Sequence, residues 1–164
     1  MGHHVSEYLT RDSQMLPFRR TAFTLVEILI VVVILAILAA AVIPQFTDSS
    51  NDAKASTAVF NLRTLRSQIA AYKAQHGGLF PTGVDAAAIT LQLTSKTNSD
   101  GTTTGTPTLG PYLQGIPVNP AISSPASQTL LKVVTVDPSA NDTAYGWIYN
   151  KNNGNIFSAA DYTK

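Results

Sequence analysis

The longest apolar stretch of the chain lies near its N-terminus. From Ile28 to Ile43 no side chain is polar or charged, and Phe23 to Val26 extend the stretch on the other side of Glu27. As a helix rising about 1.5 Å per residue, residues 23–43 are about 31 Å long, which matches a bilayer core about 30 Å thick. The pattern predicts a transmembrane helix over residues 23–43.

The charges on either side of this segment predict its orientation. Arg19 and Arg20 directly precede it, whereas Asp48 and Asp52 follow it before any cation. Because lysine and arginine are retained on the cytoplasmic side, we expect the N-terminus in the cytoplasm and everything after Pro44 outside.

A cleavable secretory signal is an alternative explanation of the same segment. Such a signal has an apolar core of about 7–15 residues followed by a small-residue cleavage site, and residues 39–41, all alanine, resemble one. The apolar core here is longer, and Glu27 would be misplaced within it. These two features favour the transmembrane helix.

After Pro44 the pattern changes to that of an amphipathic helix. A kink is expected at the proline, and we predict that the helix continues over residues 44–76 until Gly77-Gly78 ends it. The apolar positions recur at steps of three and four; they are Val59, Leu62, Leu65, Ile69 and Tyr72. The cations fall mostly off this stripe, on a solvated face or one that contacts acidic surfaces of adjacent subunits; they are Lys54, Arg63, Arg66 and Lys73.

Residues 77–164 are predicted to form a small head that contains both helix and strands. Residues 84–94 predict a short helix with Asp85 as N-cap, and residues 95–111 predict an exposed loop or loose hairpin. Residues 129–136 predict a strand, and residues 145–159 predict a hairpin that turns at Asn153-Gly154. Tyr145, Trp147 and Tyr149 alternate, so we expect one aromatic face packed on the helix stripe. The predicted fold class is α+β, with the long helix packed on a small antiparallel β-sheet.

Composition and charge exclude several functions. The net charge of +1 gives no reason to expect nucleic acid as a partner, because a nucleic-acid-binding surface is a clustered basic face. Without cysteine there are no disulfides or thiolate metal sites. No nucleophile elbow, phosphate loop or paired-histidine motif occurs. His76 is the only histidine besides His3 and His4. We therefore expect neither enzymatic activity nor a nucleic-acid partner.

The residues around Glu27 carry a family resemblance. Residues 21–27, Thr-Ala-Phe-Thr-Leu-Val-Glu, resemble the processing site of type IV pilins and type II secretion pseudopilins, which share a pilin-like fold. The resemblance implies that residues 1–22 form a basic leader, that a prepilin peptidase cuts between Ala22 and Phe23, and that Phe23 becomes N-methylated. A proline at the position of Pro44 is also common in the family. Ala22 departs from the usual glycine, and we expect slower processing rather than none.

The resemblance also implies a role for Glu27. An ionisable side chain in a membrane segment is costly and marks a functional candidate. In this family the glutamate pairs with the N-terminal ammonium of a neighbouring subunit, and cleavage would create that ammonium on Phe23. The alternative is a carboxylate that reaches the nearby headgroups.

The head resembles the major pseudopilin group more weakly, through residues 72–81 and residues 147–156. Many members of that group bind calcium in a C-terminal loop. The typical Asp-Pro-Trp sequence is missing here, because Ser139 follows Asp137-Pro138. Oxygen ligands suited to a hard cation are nevertheless present, so calcium is a possible cofactor with these weak candidates: Asp137, Asn141, Asp142 and Asp161.

The resemblance implies a structural subunit of a periplasmic pseudopilus. Its partners would be further copies of itself, other pseudopilins, the prepilin peptidase, and the inner-membrane assembly platform with its ATPase. It would cross the inner membrane once, with the N-terminus in the cytoplasm and the head in the periplasm. Two alternatives stay open: a minor type IV pilin or competence pilin that binds at the cell surface, and a membrane-anchored protein that never polymerises.

Overall fold

A computed structural model describes residues 23–162 of the chain. It contains helices α1 and α2, one short 3-10 helix, and strands β1 to β3; in order they are Leu25–Gln75, Ala86–Thr94, Pro125–Ser127, Leu131–Val134, Trp147–Asn150 and Ile156–Ser158. A long N-terminal helix followed by a small sheet confirms the α+β, pilin-like fold class. The chain divides between residues 42 and 43 into two units.

Helix α1 is helical on both sides of Pro44, and the kink expected there stays a prediction. At the other end, Gly77 and Gly78 have φ angles of 63° and 94°. The Gly78 N–H donates to the Lys73 carbonyl at 2.9 Å, which satisfies a carbonyl in the last turn. The predicted glycine end of the helix is confirmed.

The amphipathic stripe of α1 forms the main core with the sheet. Leu62, Leu65, Ile69 and Tyr72 are buried in one cluster that also contains Ile89, Leu93, Leu131, Trp147, Tyr149 and Ile156. The predicted packing of Trp147 and Tyr149 on this stripe is therefore confirmed. Val59 is only half-buried, and Ala58 is buried at this end of the stripe instead.

The sheet is mixed rather than antiparallel throughout. Strands β2 and β3 pair antiparallel, with Trp147 opposite Ser158, as the predicted hairpin requires. Strands β1 and β2 pair parallel, with Leu131 opposite Trp147, so the predicted antiparallel arrangement is wrong for this pair. Residues 135–146 connect them, and a connection of about a dozen residues is long enough to return the chain to the same end of the sheet.

The aromatic alternation is interrupted before strand β2 begins. The N–H groups of Gly146 and Trp147 both donate to the Leu130 carbonyl, at 2.9 and 3.1 Å. Two successive residues facing one partner form a bulge-like irregularity, which shifts the alternation of side chains. Tyr145 consequently packs in a second cluster with Ile122 and Ile148, and the prediction that it shares the face of Trp147 is wrong.

The segment between α1 and β1 follows its local signals. Asp85 caps α2, because its Oδ1 accepts from the Ala88 N–H at 2.8 Å. Residues 95–111 form a loose hairpin closed by one antiparallel bridge between Thr97 and Leu109. Both predictions are confirmed.

Candidate functional site

The first turn of helix α1 has a side-chain cap. Thr24 precedes the helix, and its Oγ1 accepts from the Glu27 N–H at 3.2 Å. Threonine at the N-cap with glutamate three residues later is the sequence of a capping box, in which the glutamate reaches back to the N-cap N–H. The Thr24 half of this motif is present, since its hydroxyl accepts from the main chain of Glu27; it was not predicted from the sequence, although the Thr-x-x-Glu spacing indicates it.

Glu27 is exposed in the first turn of α1, four residues after Phe23, which is 75% exposed. Within residues 23–162, one ion pair is found, between Lys132 and Asp142, so Glu27 has no charged partner in the described part of its own chain. The positive end of the helix dipole favours an acidic side chain in this first turn. The role of Glu27 in assembly stays a prediction.

Arg19, Arg20 and Ala22 lie outside the described residues. The leader charge and the cleavage junction between Ala22 and Phe23 therefore stay predictions. On the described side of the junction, Phe23 comes two residues before the helix begins.

Helix α1 is long and apolar enough to cross a membrane. Its most apolar 18-residue window has a mean hydropathy of 3.3, and none of that window is buried. A core helix of a soluble protein would be mostly buried, so the exposed surface argues against that origin. An apolar surface of this size needs lipid or other helices to cover it.

Two comparisons with known proteins identify the family of the chain. Residues 17–43 match the family model for the prokaryotic N-terminal methylation motif. The chain is also 31% identical over 107 residues to the type II secretion system core protein G of Pseudomonas aeruginosa, an alignment covering 62% of this chain and 68% of that protein. The chain belongs to the pseudopilin family. No solved structure gives a significant match to this pseudopilin.

The calcium candidates of this pseudopilin have other partners. The Asp142 carboxylate accepts from the Lys132 ammonium at 2.6 Å, and this bond lowers the pKa of Asp142. Asn141 Oδ1 accepts from the Tyr162 N–H. Asp137 accepts from three asparagine amides, which lower its pKa.

The acidic candidates also matter as a group of potential metal-ligating side chains. Among residues 23–162, no group of three or more histidine, cysteine, aspartate or glutamate residues is arranged to hold a metal ion, although Asp137, Asp142 and Asp161 all belong to this range. Calcium binding by the pseudopilin stays a prediction.

His76 has a packing role at the end of α1. It is 2% exposed, and its ring stacks on Tyr72 with centroids 3.6 Å apart. Nδ1 lies 2.8 Å from the Tyr72 carbonyl, and Nε2 lies 2.9 Å from Thr97 Oγ1. Because a carbonyl only accepts, Nδ1 carries a hydrogen. The ring thereby ties the helix end to the 95–111 hairpin, in keeping with a structural rather than enzymatic family.

Proposed function

We propose that this pseudopilin is a structural subunit of a type II secretion pseudopilus, polymerised through its N-terminal helix. The exposed apolar surface of α1, together with the family relationship, supports this function. In lipid and in a filament core this surface meets an apolar environment, so its burial contributes little to the choice between them. Specific polar contacts matter more.

Processing comes before assembly in this proposal. The prepilin peptidase cuts between Ala22 and Phe23 on the cytoplasmic side, where Arg19 and Arg20 hold the leader, and Phe23 is methylated. The assembly platform, powered by its ATPase, then moves the subunit from the inner membrane into the fibre with other pseudopilins. The head, residues 77–164, lies in the periplasm.

Glu27 supplies the polar contact in this scheme. Cleavage creates an ammonium on Phe23, and the glutamate lies four residues along, on the first turn of α1. In the filament, the Glu27 carboxylate of one subunit pairs with the ammonium of its neighbour. In an apolar environment a charge without its partner is energetically costly. Removing either member of the ion pair should therefore destabilise the contact between subunits.

The capping contact of Thr24 provides a competing explanation that substitutions can separate. Glu27→Gln removes the charge but keeps an oxygen that can complete the capping box, whereas Thr24→Ala removes the cap and keeps the charge. If pairing is the role of Glu27, both Glu27→Gln and Glu27→Ala insert into the membrane but fail to enter fibres, and Thr24→Ala assembles.

The measurement is the fraction of subunit in sheared fibres against the membrane fraction. Normal assembly of Glu27→Gln, with loss in both Thr24→Ala and Glu27→Ala, would assign capping as the role of Glu27. The mass of the N-terminal peptide tests processing separately, because it should begin at a methylated Phe23. An intact leader or a cut after Ala41 would contradict the proposed maturation.

A further inference from the structure

Asp137 is the hydrogen-bonding centre of the turn between β2 and β3. It lies in the 135–146 connection, and it accepts from the side-chain amides of Asn150, at the end of β2, and of Asn153 and Asn155 in the turn. Its Oδ1 accepts from Asn150 Nδ2 at 2.6 Å and from Asn153 Nδ2 at 3.0 Å, and its Oδ2 accepts from Asn155 Nδ2 at 3.1 Å. Both carboxylate oxygens therefore have donors from one short segment.

Main-chain groups fix which end of two of these amides faces Asp137. Asn150 Oδ1 accepts from the Asn152 N–H at 3.0 Å, and Asn153 Oδ1 accepts from the Asn155 N–H at 2.9 Å. Turning either amide over would set its oxygen against the carboxylate and its NH₂ against a main-chain N–H. The NH₂ groups must consequently point at Asp137.

This orientation is the reverse of what a cation needs. Calcium is held by oxygen atoms that converge on the ion, whereas here N–H groups converge on a carboxylate. An ion at Asp137 would meet the positive ends of the amides, and their oxygens would have to leave main-chain donors to reach it. We propose that Asp137 organises the β2–β3 turn without a metal ion, its carboxylate stabilised by hydrogen bonds from the asparagine amides. The same hydrogen bonds lower the pKa of Asp137, which keeps it ionised at neutral pH.

The turn that Asp137 organises approaches Phe80, which follows the end of α1. Gly154 has φ +75°, and a Cβ there would lie 2.1 Å from the Phe80 ring, which shows how closely the turn approaches that ring. On the Phe80 ring lies the Lys73 ammonium, 4.4 Å from its centroid. Placement of the turn thus affects its contact with Phe80, the ring on which Lys73 of α1 lies.

The test is thermal unfolding of the full chain in detergent, with calcium or with excess EGTA. A calcium concentration of about 2 mM is roughly three orders of magnitude above the dissociation constant of a micromolar site. We expect the same unfolding midpoint in both conditions. Asp137→Ala should lower the midpoint by roughly 5 °C, and calcium should not restore it. Asp100→Ala is the matched control, because Asp100 is an exposed aspartate that accepts from the N–H and hydroxyl groups of Thr102 in its own loop. Its loss should not loosen the β2–β3 turn.

A calcium-dependent rise in the wild-type midpoint that Asp137→Ala abolishes would overturn the proposal, as would an Asp137→Ala midpoint equal to the wild type. Hydrogen exchange of the wild-type peptide covering residues 150–156 gives a second readout that needs no variant. Exchange should be the same with calcium and with EGTA. Slower exchange with calcium would place an ion at the turn and contradict the proposal.

Discussion

The Arg66 guanidinium of helix α1 is bonded to the main-chain carbonyl of Ile156 on the edge strand β3. Nε and Nη2 both donate to this oxygen, at 3.3 and 3.2 Å, across 90 residues of sequence. An edge strand presents unpaired main-chain groups that can pair with other chains. The arginine covers one such group and ties the end of the sheet to the helix.

Replacing Arg66 should weaken this attachment. We expect Arg66→Ala to lower the free energy of unfolding of the head by about 1 kcal/mol, because a charge-assisted hydrogen bond to the sheet edge is lost. Arg63→Ala is the matched control, since it removes an equal charge from an exposed position three residues away. Urea unfolding measures both, and an equal loss in the two variants would attribute the effect to charge alone.

Three glycine substitutions should separate backbone strain from steric clash. Gly154→Ala combines φ +75° with the Phe80 ring, Gly77→Ala has φ +63° in open space, and Gly115→Ala has neither. We expect the largest loss of stability for Gly154, a loss of about 1 kcal/mol for Gly77, and almost none for Gly115. Thermal unfolding orders the three, and a Gly154 variant as stable as the Gly115 variant would contradict the tight approach to Phe80.

The Lys132–Asp142 pair predicts an acid dependence of stability. The bond from Lys132 lowers the pKa of Asp142, so the folded state binds this proton less readily than the unfolded state does. The stabilisation that comes from this ion pair is present above the pKa of an unfolded aspartate, about 3.9. It is lost as pH falls through the lower pKa that Asp142 has in the folded state. The difference in urea midpoint between wild type and Asp142→Asn should shrink below about pH 4. A difference that stays constant from neutral pH to about pH 2 would exclude this linkage.

Burial of Tyr72 predicts a loss of stability in alkali. Burial raises the pKa of Tyr72 from 10.0 to about 12, so between these values the unfolded chain releases the phenolic proton first. The part of the free energy of unfolding that depends on the Tyr72 proton should be fully present below the pKa of the unfolded tyrosine. It should decline as pH rises from about 10 to 12. Tyr72→Phe should decline less steeply, with a residual slope from Tyr149, whose pKa burial also raises. Chemical unfolding measures both proteins. If the free energy of unfolding falls with pH equally in the wild type and in Tyr72→Phe, the assignment to Tyr72 is refuted.

Local patterns determined most elements of this protein, because each depends on residues close together in sequence. The uninterrupted apolar run of residues 28–43 is enough to predict the membrane segment, and the steps of three and four after Val59 predict the buried stripe. Gly77-Gly78 and Asp85 marked a helix end and a helix start through their own backbone and side-chain chemistry. The cap that Thr24 provides for α1 was equally local, yet it was not predicted.

Only the tertiary structure decided how distant segments meet. The parallel pairing of β1 with β2 depends on the path of residues 135–146, which strand periodicity does not encode. The irregularity at Gly146, which moves Tyr145 to the second cluster, depends on the shared carbonyl of Leu130. The bonds from Arg66 to Ile156 and from the asparagines to Asp137 form because folding brings separate polar groups within hydrogen-bond distance. The alternation and spacing of residues in a single sequence do not indicate which distant polar groups folding brings together.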